Sequence, residues 1–232
     1  MSITSFRLKG FAVKAGAAVG AATVLAMSAG PALAQELPGP SDASPDQEFT
    51  DAAAVVNQYW ADHWTDYFTG SYTSPELLPG SSIGVPGLYD SNVEQLTCGQ
   101  EDLPPLNAWY CGEGDYIIAD YNLLNNQDVG DSFIWLVVAH EWGHAVQARL
   151  DLPYQAVADE LQADCLAGAA LAGATADGSM LWDAGDDQEL FDTLDALADE
   201  TPWTDPDSHG DTSQRVDAYN YGVLNGPNGC LP

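Results

Sequence analysis

The sequence predicts an α+β fold that is mainly helical, with a short sheet. Three observations carry that expectation. Apolar residues recur at helical spacing in Ala52–Tyr67, Phe133–Leu150, Ala156–Ala176, Gly185–Glu200 and Thr212–Leu224. Only two runs, Ala108–Cys111 and Tyr116–Asp120, read as strands, and both are short. The stretches between them are punctuated by Gly and Pro and read as turns and loops.

The beginning of the chain stands apart from the fold. Arg7, Lys9 and Lys14 make a basic start, Ala15–Ala29 is apolar and alanine-rich, and Ala32-Leu33-Ala34 is an A-x-A cleavage site. That pattern is a secretory signal peptide spanning 1–34, and it predicts a secreted, extracellular protein. No later segment predicts a membrane span, since Phe133–Ala139 is short and leads straight into charged residues. Removing 34 of 232 residues leaves 198, enough for one domain with a real core. That domain is expected over 52–232, as a monomer. Residues 35–51, rich in Pro, Ser, Asp and Gly, are expected to be a flexible leader.

Cleavage would also change the charge. The whole chain carries 35 acidic and 5 basic residues, a formal charge of −30. Three of the basic residues leave with the signal peptide, so Arg149 and Arg215 alone face 35 carboxylates, giving −33. Such a surface repels nucleic acid and anionic membranes. It favours hydration and cations, so additional surface cations are expected, although no complete EF-hand loop is present.

The elements follow in order. In Ala52–Tyr67, Val55, Val56, Tyr59, Trp60 and Trp64 fall near one side of a helix. His63, in the same helix, sits near Asp62 and Asp66 and reads as an exposed or hydrogen-bonded histidine rather than a ligand. Thr69–Ser91 has Gly or Pro every few residues and predicts a loop with short turns. Four cysteines in a secreted chain predict disulfides. They allow three pairings; Cys98 with Cys111 and Cys165 with Cys230 is preferred, the second pinning the tail to the helix around Glu160. The strands at Ala108–Cys111 and Tyr116–Asp120 precede the most apolar helix. They form an edge on which an extended peptide can be held by backbone hydrogen bonds, with Trp109 and Tyr110 at that edge.

The segment Phe133–Leu150 reads FIWLVVAHEWGHAVQARL. His140 and His144 are one helical turn apart on one face, with Glu141 beside that face. This is the HExxH signature, in which two imidazoles hold one zinc ion and the glutamate reaches the water bound to it. In the next helix Glu160 and Asp164 are again four apart on one face. Catalytic zinc asks for three protein ligands and an open position, and His140, His144 and Glu160 supply such a set. A ligating histidine needs its other ring N–H fixed, which Asp164 can do. Gly185–Glu200 then predicts a helix with Leu190, Leu194 and Leu197 inward. Thr201–Gly210 is a turn-rich link carrying His209, and Thr212–Leu224 is a last helix with Arg215 in its first turns. There is no internal repeat, no C-x-x-C and no glycine-rich phosphate loop.

Several blocks in order resemble the bacterial neutral zinc metallopeptidase family. They are Cys98-Gly99 with Trp109-Tyr110-Cys111, YIIAD ending at Asp120, VVAHEWGHAVQ over 137–147, ELQADCLAG over 160–168, Gly185-Asp186-Asp187, and His209-Gly210 with Gln214-Arg215. The resemblance spans roughly Cys98 to Gly222. It implies a thermolysin-like zincin core, one zinc on His140, His144 and Glu160, and Glu141 as general base. The chain departs from the family at Asp211, where threonine is usual, and at Gly112, where proline is common.

These readings converge on peptide-bond hydrolysis, with a protein or peptide substrate. Glu141 takes the proton of the attacking water, and one further donor stabilises the oxyanion. His209 is the first candidate for that donor, with Arg215 and Tyr110 behind it. Arg215 reads better as the structural partner of a carboxylate. The rival class is a secreted, acidic zinc- or calcium-binding interaction protein without catalysis. The retained Glu141 argues against it, because structural zinc needs no base.

Overall fold

One helix supplies the centre of the molecule. The computed structural model describes residues 36–125, 130–204 and 208–232, so the signal peptide expected over 1–34 lies outside the described residues. α3 (Ser132–Gln147) is buried at every residue but His144. A helix apolar on nearly all sides has to be surrounded. α1 (Pro45–Tyr67) and α4 (Asp159–Ala176) pack on it, with α5 (Asp186–Ala196) near its start and α6 (Thr212–Asn225) against α4.

Small residues let these helices close up. A Cβ on Gly143 would sit 2.8 Å from the carbonyl oxygen of Ala163. Thus the histidine-bearing stretch of α3 can approach the carboxylate-bearing stretch of α4. A Cβ on Gly222 would meet the Cys165 carbonyl oxygen at 1.9 Å, which sets the equally close contact of α6 with α4.

α1 begins earlier than the sequence reading placed it. The flexible leader expected over 35–51 gives way to helix at Pro45, and Glu48 and Phe49 are buried. Proline is pre-organised for a first helical position. Phe49 extends the stripe of Ala52, Ala53 and Val56 by one turn, all of them buried. The preceding residues are also tied down. The Pro38 carbonyl accepts the Leu181 N–H at 2.9 Å, and Ser41 Oγ bonds to the Glu48 carboxylate, which also accepts from Trp135 Nε1.

The sheet is small. β5 (Ala108–Cys111) and β6 (Tyr116–Asp120) form the antiparallel pair read from the sequence. β1 (Glu76–Leu77) and β2 (Leu88–Tyr89), within the stretch expected to be loop, pair parallel with the other side of β6. β3 (Thr97–Cys98) and β4 (Glu101–Asp102) make a separate hairpin, and α2 (Tyr121–Leu124) follows β6. β5 is therefore an edge strand. The Asn107 carbonyl accepts from the Asp120 N–H, and the alternation of an antiparallel ladder then turns the N–H and C=O groups of Ala108 and Tyr110 outward.

Both disulfides have the preferred pairing, Cys98–Cys111 and Cys165–Cys230. The first ties β3 to β5, and the second ties the 3₁₀ turn Pro227–Cys230 to α4. Among the described residues no helix is long and apolar enough to cross a membrane. The α+β, mainly helical class with a short sheet is what the structure has.

Candidate metal centre

α3 and α4 bring three ligand atoms together. His140 Nε2 lies 3.2 Å from His144 Nε2 and 3.0 Å from Glu160 Oε2. His144 Nε2 lies 3.4 Å from the same oxygen. This triangle forms because each pair is one turn apart on its own helix and the two helices touch at Gly143 and Ala163. Among the described residues it is the one group of His, Cys, Asp or Glu side chains arranged to hold a metal ion.

Each histidine is oriented through its other nitrogen. His140 Nδ1 donates to Asp164 Oδ1 at 2.8 Å, which aims Nε2 into the triangle, where a metal cation would take the place of its proton. His144 Nδ1 is 2.8 Å from Gln147 Oε1, three residues on. Gln147 is itself fixed, donating to the Asp159 carbonyl at 2.6 Å and to Gln162 Oε1 at 3.1 Å. The sequence reading missed Gln147. Its signal was position alone, one turn past His144 on the same face.

Asp164 is fully buried and answers to two elements at once. Besides His140 it takes a two-pronged bond from Arg215 on α6, Nε to Oδ2 at 2.8 Å and Nη2 to Oδ1 at 2.7 Å. The third arm of Arg215 reaches the Leu197 carbonyl at 2.9 Å. Arg215 is thus the structural partner of a carboxylate, with each of its three nitrogens donating one hydrogen bond. Burial would raise the Asp164 carboxyl, but Arg215 and His140 outweigh it and hold it at about 2. Burial likewise opposes charge on His140, and Asp164 with Glu160 reverses that to about 10. Carboxylates that attract a proton this strongly also attract a metal cation to the same lone pair.

Glu141 sits beside the triangle, buried, and forms no ion pair among the described residues. Burial pushes its carboxyl above the ordinary value; His144 and His140 pull it back in part, as does the backbone N–H of Tyr110. A carboxylate with a raised pKa next to a metal-binding group suits proton transfer.

The triangle forms one wall of a cleft of about 570 Å³. The structure brings His209 to this cleft: its Nε2 is 3.4 Å from Glu160 Oε2, and its ring stacks on that of His140 at 6.4 Å. It lies outside the three-residue ligand group. Burial, with Arg215 and His140, holds its pKa below the usual value against the pull of Glu160.

The edge residues divide. Tyr110 lines the cleft, but its hydroxyl donates to Asp115 Oδ1 at 2.9 Å and is not free for an oxyanion. Asp115 in turn accepts from Arg149 Nη2 on both carboxylate oxygens, at 2.7 and 2.8 Å, which clamps the β5–β6 turn to the end of α3. Trp109 also lines the cleft, while it packs against Tyr89, Leu103 and Ile118 on the other face of the sheet. At the rim, Leu106 is exposed with φ 57°, its N–H bound to the buried Asp120 carboxylate at 2.8 Å.

The departure at Asp211 is local. Asp211 caps α6, accepting the Gln214 N–H at 3.0 Å while the Gln214 side chain returns a bond to the Asp211 N–H. Aspartate and threonine both serve at this position. Comparison of the chain with protein-family models, with curated proteins and with solved structures finds no match.

Proposed function

We propose that the protein is a secreted zinc-dependent endopeptidase of the neutral zinc metallopeptidase type. The observation that carries this reading is the His140–His144–Glu160 triangle with a buried glutamate beside it. Its sides of 3.0, 3.2 and 3.4 Å fit zinc; bonds of about 2.0–2.1 Å in a tetrahedron place ligand atoms roughly 3.3–3.4 Å apart. Three protein ligands also leave the fourth position that a catalytic site keeps open.

When bound, zinc lowers the pKa of a water and polarises the scissile carbonyl. The chain supplies the rest. The outward C=O groups of Ala108 and Tyr110 on β5 can accept hydrogen bonds from an extended peptide laid across the cleft. Glu141 accepts the proton of the attacking water and passes it to the leaving amine nitrogen. His209 offers a ring N–H to the oxyanion that develops on the carbonyl. Asp164, held by Arg215, and Gln147 keep the two imidazoles aimed. The two disulfides and the signal-like start support an oxidising, extracellular location.

The test joins elemental analysis to cleavage of a quenched peptide library, with a chelator and then with zinc restored. Metal-dependent cleavage supports the reading. A zinc-loaded protein that cleaves no member of a broad library points instead to the non-catalytic metal-binding alternative.

A further inference from the structure

A second cavity, of about 580 Å³, lies between α4, α5 and α6. It shares no lining residue with the metal-binding cleft. Its walls include Leu194 and Val223 and the rings of Trp182, Phe191 and Tyr219. Phe191 is 44% exposed and Val223 39%, so the cavity opens to solvent.

Two features distinguish it from a gap in packing. Tyr219 is only 7% exposed and its ring lies over Gly168 of α4. Among the described residues its hydroxyl has no hydrogen-bond partner, and it is not one of the fully buried unpartnered atoms, so its oxygen opens onto the cavity that Tyr219 lines. The second feature is Asp187, in the first turn of α5. It accepts the Trp182 Nε1–H at 2.8 Å and lines the same cavity as Tyr219. No basic side chain lines the cavity. Arg215, the single arginine or lysine of α4, α5 and α6, is bound to Asp164.

We propose that this groove binds a small amphipathic cation, an apolar chain or ring system carrying an ammonium group. The volume falls within the range of small-molecule sites, and the apolar walls take the body of the ligand. At the polar end the ammonium meets the Asp187 carboxylate, donates to the Tyr219 oxygen and faces aromatic rings that attract cations. An anionic head would meet repulsion from Asp187 and from a chain of net charge −30. The inference is independent of the chemistry proposed for the metal centre.

The test uses three probes with one decyl chain and different heads: decylammonium, decanol and decanoate. Each is titrated calorimetrically into the purified protein below its micelle concentration. One saturable site per chain is expected for decylammonium, with decanoate at least roughly 10-fold weaker. Asp187→Asn keeps an acceptor for Trp182 but removes the charge. It should cost decylammonium roughly 5-fold and leave decanol unchanged. Asp102→Asn, in the β3–β4 hairpin, makes the same change in net charge and should leave all three affinities as they were. Thr175→Trp, filling the groove, should abolish binding, with circular dichroism confirming the fold. Absence of a saturable decylammonium site overturns the proposal. So does equal binding of decanoate, or the same loss in D102N as in D187N.

Discussion

Arg215 holds Asp164 through two hydrogen bonds of 2.8 and 2.7 Å, and the same Asp164 oxygen that takes the shorter one also takes the Nδ1–H of His140. A buried ion pair therefore links α6 to the imidazole that faces the metal-binding triangle. Removing the cation would strand a carboxylate that is fully buried. Arg215→Met should cost about 3–5 kcal/mol of stability, the range for breaking a buried pair. Metal affinity should fall by roughly 10- to 100-fold, because the support of a ligand is loosened. Denaturant melts of the metal-free protein and chelator competition measure the two effects separately. Unchanged metal affinity in a folded R215M protein would remove the coupling argued here.

The second prediction separates a ligand from its support. His144→Ala deletes one corner of the triangle and should remove most bound metal, read by elemental analysis. Gln147→Ala leaves all three corners but frees the His144 ring, whose Nδ1 it holds at 2.8 Å. It should keep the metal at saturation with a dissociation constant raised roughly 10-fold. If H144A retained near-full occupancy, the assignment of ligands would be wrong.

Away from the site, His63 bridges two helices. Its Nδ1 is 2.9 Å from Asp66 and its Nε2 2.8 Å from Asp177, just past the end of α4. The Asp66 hydrogen bond raises its pKa, partial burial opposes this, and Asp177 adds to the rise. A folded pKa above the unfolded value means the charged form favours folding. The contribution is complete below the unfolded pKa near 6.5 and is lost as pH rises through the higher folded value. His63→Gln should therefore lower the melting temperature at pH 5.5 and make little difference at pH 9. A deficit that grows with pH would reverse the sign and refute the account.

The two disulfides close loops of different length, 13 and 65 residues apart in sequence. On loop entropy alone, opening them should cost about 3 and about 4 kcal/mol respectively. Cys165→Ala with Cys230→Ala should be the more damaging pair, since it also frees the turn whose Cys230 carbonyl accepts from Gln162 at 2.9 Å. Thiol titration of the denatured, unreduced protein should read close to zero. Denaturant midpoints of the two double variants give the ranking.

What the sequence disclosed, and what it hid, follows from range. His140, His144, Glu160 and Asp164 were legible because a helix converts a spacing of four into a shared face. The pair β5–β6 was legible because a short turn joins two strand-like runs. β1 and β2 were not, since two residues have no periodicity and both find β6 from a distance. The early start of α1 was hidden by Pro45 and Asp46, which read as leader composition although they suit a helix's first turn. Arg149 and Arg215 illustrate the same limit. Their scarcity among carboxylates was plain, yet only the fold reveals that Asp115 and Asp164 are their partners.

The last prediction bears on the proposed chemistry itself. Glu141 is flanked in sequence by His140 and lies one turn before the end of the ligand pair, so it is close to the triangle without belonging to it. Glu141→Gln preserves size and shape in a site that is 7% exposed, and it leaves every ligand in place. Metal content and melting behaviour should therefore match the wild type. An amide cannot accept the proton of the attacking water, and loss of a general base typically lowers the rate by roughly 100- to 10,000-fold. That corresponds to about 3–5 kcal/mol of transition-state stabilisation. His209→Ala makes a useful contrast, since it too should keep the metal. Removal of a single oxyanion donor should cost roughly 100- to 1,000-fold in kcat, with a smaller effect on KM. The deciding measurement is the single-turnover rate of zinc-loaded E141Q against wild type on one cleaved peptide. Equal rates would end the assignment of Glu141 as the base, whatever the metal content.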